Sequence, residues 1–145
     1  MTSAEVFVFF DGAAKGNPGP AGIGLLFFSK NNVVLRQISH FIGIKTNNQA
    51  EYEALLASLK EAEDFASTKI ILRTDSELLF RQILGIYKVR DYKLKKYHRR
   101  AIEMMRKLPN AKIEFVPREK NRAADRLANQ AVKKFLKSQT EKLIK

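Results

Sequence analysis

Short runs of β-branched and aromatic residues alternate with turn residues along the first 42 positions of the chain. Val6 to Phe10 is the first run and ends at Asp11-Gly12, which predicts a strand that leads into a turn or bend. After the turn residues Gly16 to Pro20, two further runs, Gly22 to Phe28 and Val33 to Ile42, have the composition of strands. Because the connections are short, we expect these three strands to pair as an antiparallel meander.

From Thr46 onward the apolar residues recur mainly at helical spacing. Thr46-Asn47-Asn48 supplies cap residues for a first helix, and a short helix is predicted from Ser76. Lys69 to Thr74 and Lys112 to Val116 are predicted strands, and Asn121 is expected to cap the final helix. The predicted order is βββαβααβα. It indicates an α/β fold with a five-stranded mixed sheet, in which strands 4 and 5 are parallel and helices flank the sheet.

The length of the chain indicates a single domain, and its charge favours a protein that binds a polyanion. A chain of 145 residues is expected to form one domain over residues 1–145, with residues 137–145 as a C-terminal tail. Residues 86–145 hold 19 Lys and Arg against 6 Asp and Glu, within a net charge of +12 for the whole chain. This excess favours a polyanionic partner such as nucleic acid, although a merely solvated basic surface has the same composition.

The chain has no cysteine, so disulfides, thiolate zinc sites and a cysteine nucleophile are excluded. The first residues lack a basic region, and no apolar run approaches the length of a membrane span. We therefore expect a cytoplasmic protein without a membrane partner.

Four acids stand out on this basic chain: Asp11, Glu51, Asp75 and Asp125. Each is predicted at the end of a strand or near the start of a helix, where ligands of α/β proteins collect. Each also has an ordinary structural interpretation as a turn former, an N-cap or a partner of the helix dipole. Together they would repel a phosphate backbone unless a divalent cation lay between them and the nucleic acid.

The residues around these acids resemble those of type 1 ribonuclease H, in the same order and over nearly the whole chain. The matching blocks are Phe10-Asp11-Gly12-Ala13 with Gly16-Asn17-Pro18-Gly19-Pro20-Ala21-Gly22, then Thr46-Asn47-Asn48-Gln49-Ala50-Glu51-Tyr52, Thr74-Asp75-Ser76, and Asn121-Arg122-Ala123-Ala124-Asp125-Arg126-Leu127-Ala128. Four ordered blocks are far more specific than one short motif.

The resemblance implies a ribonuclease H-like fold that hydrolyses the RNA strand of RNA–DNA hybrids and leaves 5′-phosphate and 3′-hydroxyl ends. It implies that two Mg²⁺ or Mn²⁺ ions bind to Asp11, Glu51, Asp75 and Asp125. In this interpretation Asp11 is shared, Glu51 and Asp75 lie on one side of it, and Asp125 lies on the other. Carboxylate oxygens suit these ions, and a pair of them can act on both the attacking and the leaving oxygen.

The resemblance also implies substrate contacts at the minor groove of the hybrid. The expected residues are Gly12, Asn17, Thr46, Asn47 and Asn48. The asparagines have an equally good interpretation as turn or cap residues. Glu51 has a possible second task as the group that contacts the 2′-hydroxyl of the RNA strand.

Two features depart from many relatives. The loop before the last acid contains no histidine, and Arg118 is the candidate replacement, able to hold a phosphate or the product but not to act as a base. The segment of residues 85–92 is too short to contain the extra basic helix that some family members have. The chain therefore resembles the compact branch of the family, which lacks this helix. Substrate binding is then expected to use Lys88 and Arg90, with Tyr87 or Tyr92 beside a sugar unless these tyrosines belong to the core.

Two alternatives stay open from the sequence. One is a non-catalytic module that binds hybrids or double-stranded RNA by shape. The other is a nuclease of the same superfamily with another substrate, and activity on double-stranded RNA also stays possible. A monomer is expected in each case.

Overall fold

The computed structural model describes residues 4–144. The strands are β1 (Glu5–Ala14), β2 (Gly19–Ser29), β3 (Val34–Lys45), β4 (Lys69–Thr74) and β5 (Ala111–Phe115). The α-helices are α1 (Asn47–Ala62), α2 (Glu77–Ile83), α3 (Tyr92–Arg106) and α4 (Arg122–Ile144), and short 3-10 helices cover Glu63–Phe65 and Arg118–Lys120. The predicted order of strands and α-helices is confirmed.

The five strands form one sheet in the order β3-β2-β1-β4-β5, so β1 lies at the centre. The pairs β1–β2 and β2–β3 are antiparallel, as the meander predicts, and β4 is parallel to both β1 and β5. Because β1 and β4 are parallel neighbours, their carboxyl ends lie at the same end of the sheet.

One predicted boundary is wrong in a way that matters for the site. The sequence predicts that β1 ends in a turn at Asp11-Gly12, but the strand continues to Ala14. Asp11 pairs with Gly24 and Gly12 with Ile23, so the ladder to β2 carries β1 through these positions. Asp11 is therefore held by strand hydrogen bonding and is not a turn former.

The helices cover both faces of the sheet. Alternate residues of β1, among them Val8 and Phe10, are fully buried in the core beneath α1. Gly12 continues this face and touches α1 at Ala50. Gly22 and Gly24 of β2 point to the other face and touch α4. The first helix and the last helix thus approach the central strands from opposite sides.

The C-terminal tail predicted for residues 137–145 is a continuation of α4 as far as Ile144, and Lys145 lies outside the described residues. Leu143 and Ile144 are 88% and 79% exposed, so these two side chains do not dock on the core. Between residues 84 and 91, the described chain connects α2 to α3 without another helix, as expected for the compact branch. No helix in the described part of the chain has the length and apolar character needed to cross a membrane.

Candidate active site

Three carboxylates meet near the carboxyl ends of two neighbouring strands, because Asp11 lies in the last part of β1 and Asp75 directly follows β4. One oxygen each of Asp11, Glu51 and Asp75 lies within 4.8 Å of the other two. Asp125, in the first turn of α4, is outside this closest group, but its charge acts on Asp11. The fold thus brings together acids that are separated by 40, 24 and 50 positions in the sequence.

The register of β1 and β4 explains the position of Asp75. The two strands are parallel, and Phe9 is level with Arg73. Two residues further along each strand are Asp11 and Asp75, so their side chains emerge side by side. Ser76 caps α2, because its Oγ atom accepts a hydrogen bond from the Leu79 N–H at 3.2 Å. Asp75 is not the N-cap of α2, and its carboxylate is left to the cluster.

Two glycines allow the helices to bring the other two acids to Asp11. A Cβ atom at Gly12 would lie 2.1 Å from the carbonyl of Ala50, which precedes Glu51 on α1. A Cβ atom at Gly24, the cross-strand partner of Asp11, would lie 2.1 Å from the carbonyl oxygen of Ala124, which precedes Asp125 on α4. Only glycine permits both approaches, so the helix backbones reach the strands directly next to the two acids.

Asn121 has a different role from the one that the sequence predicts. It is 1% exposed, and its Nδ2 group donates to the Phe10 carbonyl at 2.9 Å and to Asp75 Oδ2 at 3.1 Å. Its Oδ1 atom accepts no hydrogen bond from the described residues, so the side chain does not cap α4. Asn121 instead links β1 to the carboxylate of Asp75. Sequence reasoning missed this role, and the only available signal was its place in the fourth matching block.

The cluster is strongly destabilised in its fully ionised form. Burial, followed by the charges of Glu51, Asp75 and Asp125, raises the pKa of Asp11 to about 10. Burial also raises the pKa of Glu51 to about 8, with Asp75 and Asp125 acting in the same direction. Carboxyls so close together cannot all be charged without a compensating cation.

Asn121 and Arg118 partly oppose the repulsion between these carboxylates. Burial raises the pKa of Asp75, while the hydrogen bond from Asn121 and the charge of Arg118 lower it. Arg118 also lowers the pKa of Glu51. Arg118 is exposed in the short 3-10 helix before α4, and its charge reaches the carboxylate cluster from there.

The donor set fits a divalent cation with a preference for oxygen. All the ligand candidates are carboxylates, which suit Mg²⁺ and Mn²⁺. The Glu51 Oε2 atom is buried and has no hydrogen-bond partner among residues 4–144. A buried carboxylate oxygen without a partner is unfavourable unless a bound ion or water satisfies it. The cluster therefore has both the charge and the free ligand atom that a metal site requires.

The predicted minor-groove residues form a second cluster at the start of α1. Thr46 caps α1 through a capping box with Gln49. Asn47 Oδ1 accepts a hydrogen bond from Ala14 N–H, and Asn17 Oδ1 accepts one from Asn47 N–H, each at 3.0 Å. Thr46 is therefore a helix cap, and Asn17 and Asn47 hold the local backbone through their Oδ1 atoms. The Nδ2 groups of Asn17 and Asn47 make no hydrogen bond within the described part of the chain, and Asn17, Asn47 and Asn48 are exposed.

Lys88 and Arg90 are exposed in the segment between α2 and α3, apart from the carboxylates. Lys88 lines a groove of about 590 Å³ together with Tyr87 and Arg99. The core interpretation of Tyr87 and Tyr92 is wrong, because these side chains are 44% and 72% exposed. The guanidinium of Arg81 lies over the Tyr87 ring and the Lys96 amine over the Tyr92 ring, and both tyrosines are accessible to a ligand.

Comparison with known proteins agrees with this geometry. Residues 9–131 match the family model described as Reverse transcriptase-like. The chain is 42% identical over 128 residues to Ribonuclease HI of Halobacterium salinarum, covering 88% of this chain and 64% of that protein. The crystal structure of RNase H1 from the same archaeon has a TM-score of 0.86 at 41% identity, covering 90% of this chain and 98% of that one. The chain belongs to the type 1 ribonuclease H family.

A further family member has been solved with a ligand. The crystal structure of LC11-RNase H1 in complex with an RNA/DNA hybrid has a TM-score of 0.86 at 39% identity and covers 90% of this chain and 99% of that chain. LC11-RNase H1 was isolated from compost by a metagenomic approach. These family matches confirm the ribonuclease H-like α/β fold. The chain spans 64% of the length of the curated archaeal relative.

Proposed function

We propose that this protein hydrolyses the RNA strand of RNA–DNA hybrids and produces 5′-phosphate and 3′-hydroxyl ends. The observation that carries the proposal is the convergence of Asp11, Glu51 and Asp75 within 4.8 Å, with Asp125 beside Asp11, on a chain of net charge +12. A concentrated acidic site on a basic protein is the expected arrangement for metal-dependent chemistry on a polyanion. The hybrid complex of LC11-RNase H1 supports the same substrate class.

The four acids would hold two Mg²⁺ or Mn²⁺ ions. Such a pair, when bound, would activate a water nucleophile and stabilise the charge on the leaving 3′-oxygen. Asp11 is central in this assignment, because the charges of all three other acids act on it. Asn121 and the strand ladder keep Asp75 and Asp11 in place before substrate binds. A site that is positioned in advance needs little reorganisation during the reaction.

Arg118 would hold a phosphate at the edge of the cluster. Its guanidinium stays protonated at any relevant pH, so it cannot remove a proton from water. It can donate several hydrogen bonds to the phosphate oxygens of the substrate or product. The effect of its charge on Glu51 and Asp75 supports this role, because a phosphate next to these acids needs a counter-charge.

Selection of RNA over DNA requires a contact to the 2′-hydroxyl, which both donates and accepts hydrogen bonds. Glu51 is the candidate for this contact, because an ionised carboxylate has several acceptor sites and can accept from the 2′-hydroxyl while it also binds an ion. At the start of α1, the contacts to the minor groove come from the free amide groups of Asn17 and Asn47, together with Gly12, Thr46 and Asn48. Lys88 and Arg90 add contacts to the backbone of the hybrid.

Cleavage of end-labelled substrates in Mg²⁺, in Mn²⁺ and in EDTA tests the proposal. The panel includes an RNA–DNA hybrid, duplex DNA, single-stranded RNA and duplex RNA. We expect metal-dependent cutting of the RNA strand of the hybrid, and added cutting of duplex RNA would widen the substrate class. Binding of the hybrid without cutting in either metal would instead favour the non-catalytic module. Cutting of another substrate alone would favour a different nuclease of the superfamily.

The monomeric state and the cytoplasmic location stay predictions.

A further inference from the structure

An open groove of about 820 Å³ runs along the start of α4, directly beside the carboxylate cluster. Four cationic side chains line it: Arg118, Arg122, Arg126 and Lys133. The acids in its wall are Glu119 and Asp125, and Asp125 is also a member of the carboxylate cluster. One end of the groove is therefore continuous with the proposed active site.

The cations of this groove, here called the α4 groove, are free to bind an external anion. All four are exposed, and none lies within 4.0 Å of a carboxylate oxygen among residues 4–144. Arg36 and Arg73, by contrast, are paired with acids on neighbouring elements. A row of unpaired cations beside an acidic site has no evident role in holding the fold together.

The spacing of these residues makes a continuous track. Arg122 and Arg126 are four residues apart, and Lys133 follows after seven more, so the three side chains share one face of α4. The distance along the helix from Arg122 to Lys133 is about 16 Å, at a rise of 1.5 Å per residue. This length spans several phosphates of one nucleic acid strand.

The α4 groove is separate from the basic surface on α3. Lys93, Lys96 and Arg100 of α3 line another groove beside α1, on the opposite face of the sheet. In the proposed function the minor groove of the hybrid lies at the start of α1, so one strand must pass over the carboxylate cluster to be cut. Because that strand is covalently continuous, the part that passes beyond the cluster is directed towards α4.

We propose that the α4 groove binds the sugar–phosphate backbone of the RNA strand where that strand continues beyond the cleaved bond. The inference rests on the proposed function, which makes RNA the strand at the cluster. The groove contacts phosphates and not bases, since its lining has no aromatic side chain on which a base could stack. The groove therefore increases the affinity for the substrate without adding a preference for particular base sequences.

Equilibrium binding in Mg²⁺ tests the inference, with Asp11→Asn as the background so that the substrates stay intact. The probes are a short blunt hybrid and the same hybrid with an unpaired extension of either the RNA strand or the DNA strand, placed at each end in turn. The measured quantity is the ratio of Kd for the blunt hybrid to Kd for the extended one. This ratio cancels any general effect of protein charge.

Two triple variants are compared in this background. The test variant carries Arg122→Gln, Arg126→Gln and Lys133→Gln. The control carries Lys30→Gln, Lys60→Gln and Lys69→Gln, which removes the same charge from exposed positions at the opposite end of the sheet. Neither variant changes a residue of the carboxylate cluster.

An RNA extension at one end should tighten binding about tenfold or more in the background protein and in the control, and the test variant should lose this gain. For the extended hybrid, the slope of log Kd against log salt should fall by about 2 in the test variant, since each phosphate contact to a single strand contributes about 0.7. The inference would be overturned if the DNA extension tightened binding, or if neither extension did. It would also be overturned if the control variant lost the gain in affinity to the same extent as the test variant. Failure of the wild-type protein to cut any hybrid would instead overturn the proposed function, and the two failures are measured separately.

Discussion

Asn121 shows how a single buried amide organises this site. Its Nδ2 group bonds at once to the carbonyl of Phe10, next to Asp11, and to the carboxylate of Asp75. The amide therefore connects two of the proposed metal ligands across neighbouring strands. Its two acceptors lie 111 and 46 positions away in the sequence, so the contact depends on the completed fold.

Replacing Asn121 by alanine should lower both stability and activity. The Phe10 carbonyl would lose its side-chain donor in a buried environment, which should reduce the free energy of unfolding by about 1–3 kcal/mol. Turnover should fall as well, because Asp75 would lose the group that holds it. Denaturant unfolding and hybrid cleavage measure the two effects. Asn110→Ala is the matched control, since that side chain is exposed and makes only a 3.5 Å contact. Equal behaviour of the two variants would contradict the role of Asn121.

The candidate acids could be predicted from sequence, but the group that holds them could not. Asp11, Glu51, Asp75 and Asp125 are recognisable because each lies in a distinctive block of flanking residues. An asparagine just before a helix has the composition of an N-cap, and nothing local to Asn121 distinguishes a cap from a long-range bridge. For the same reason Asp11 looks like a turn former, because the extension of β1 through it depends on pairing with β2.

At the scale of whole elements, α1 and α4 approach the sheet unusually closely at the site. Gly12 permits the approach of α1 next to Glu51, and Gly24 permits that of α4 next to Asp125. The strands and helices themselves follow from periodicity, so their order could be predicted. The order of strands in the sheet and the helix that covers each glycine could not, since neither has a signal in the local sequence.

Gly24→Ala should disturb α4 and with it the position of Asp125. The new Cβ atom would lie 2.1 Å from the Ala124 carbonyl oxygen, so the helix must move away from β2. We expect a loss of stability of about 1–3 kcal/mol from overpacking, together with a large loss of turnover.

Gly43→Ala is the control for this prediction. Its Cβ atom would meet nothing within 4 Å, but its backbone has a φ of +88°, so the substitution introduces backbone strain alone. It should lower stability by about 1–2 kcal/mol and leave turnover of the remaining folded protein unchanged. Full activity in Gly24→Ala, or an equal loss of activity in both variants, would contradict the account of how α4 is placed.

Across the whole molecule, charge is divided between a concentrated acidic site and a basic surface. The net charge of +12 attracts a polyanion, whereas the clustered carboxylates repel one another as well as the phosphates. In the proposed function a bound divalent cation would remove both repulsions. The stability of the protein should therefore depend on pH and on metal together.

Without metal, the free energy of unfolding contributed by the site should fall as pH rises. The pKa of Glu51 is about 8 in the folded protein against an ordinary 4.5, so the folded state retains a proton that the unfolded state loses within this range. Asp11 acts in the same direction up to its pKa of about 10. Because the folded state binds more protons, raising the pH through this window favours unfolding.

Thermal unfolding in EDTA and in Mg²⁺ across this pH range measures the effect. The double variant Asp11→Asn, Glu51→Gln should show a flatter pH dependence in EDTA than the wild-type protein. Mg²⁺ should stabilise the wild-type protein most at the alkaline end, by about 2.7 kcal/mol when the ion is at a hundred times its Kd. Identical pH profiles for the two proteins in EDTA would contradict the electrostatic description of the site.

The most direct measurement is the rate of RNA-strand cleavage in an RNA–DNA hybrid as Mg²⁺ is added to the wild-type protein and to Asp11→Asn. The substitution removes a charge but little volume from the acid on which the other three act. We expect the wild-type rate to rise from zero with Mg²⁺ and the variant to be at least about a thousandfold slower, because several kcal/mol of charge stabilisation is lost. Cleavage by Asp11→Asn at the wild-type rate, or wild-type cleavage undiminished in EDTA, would contradict the assignment of this carboxylate cluster as the active site.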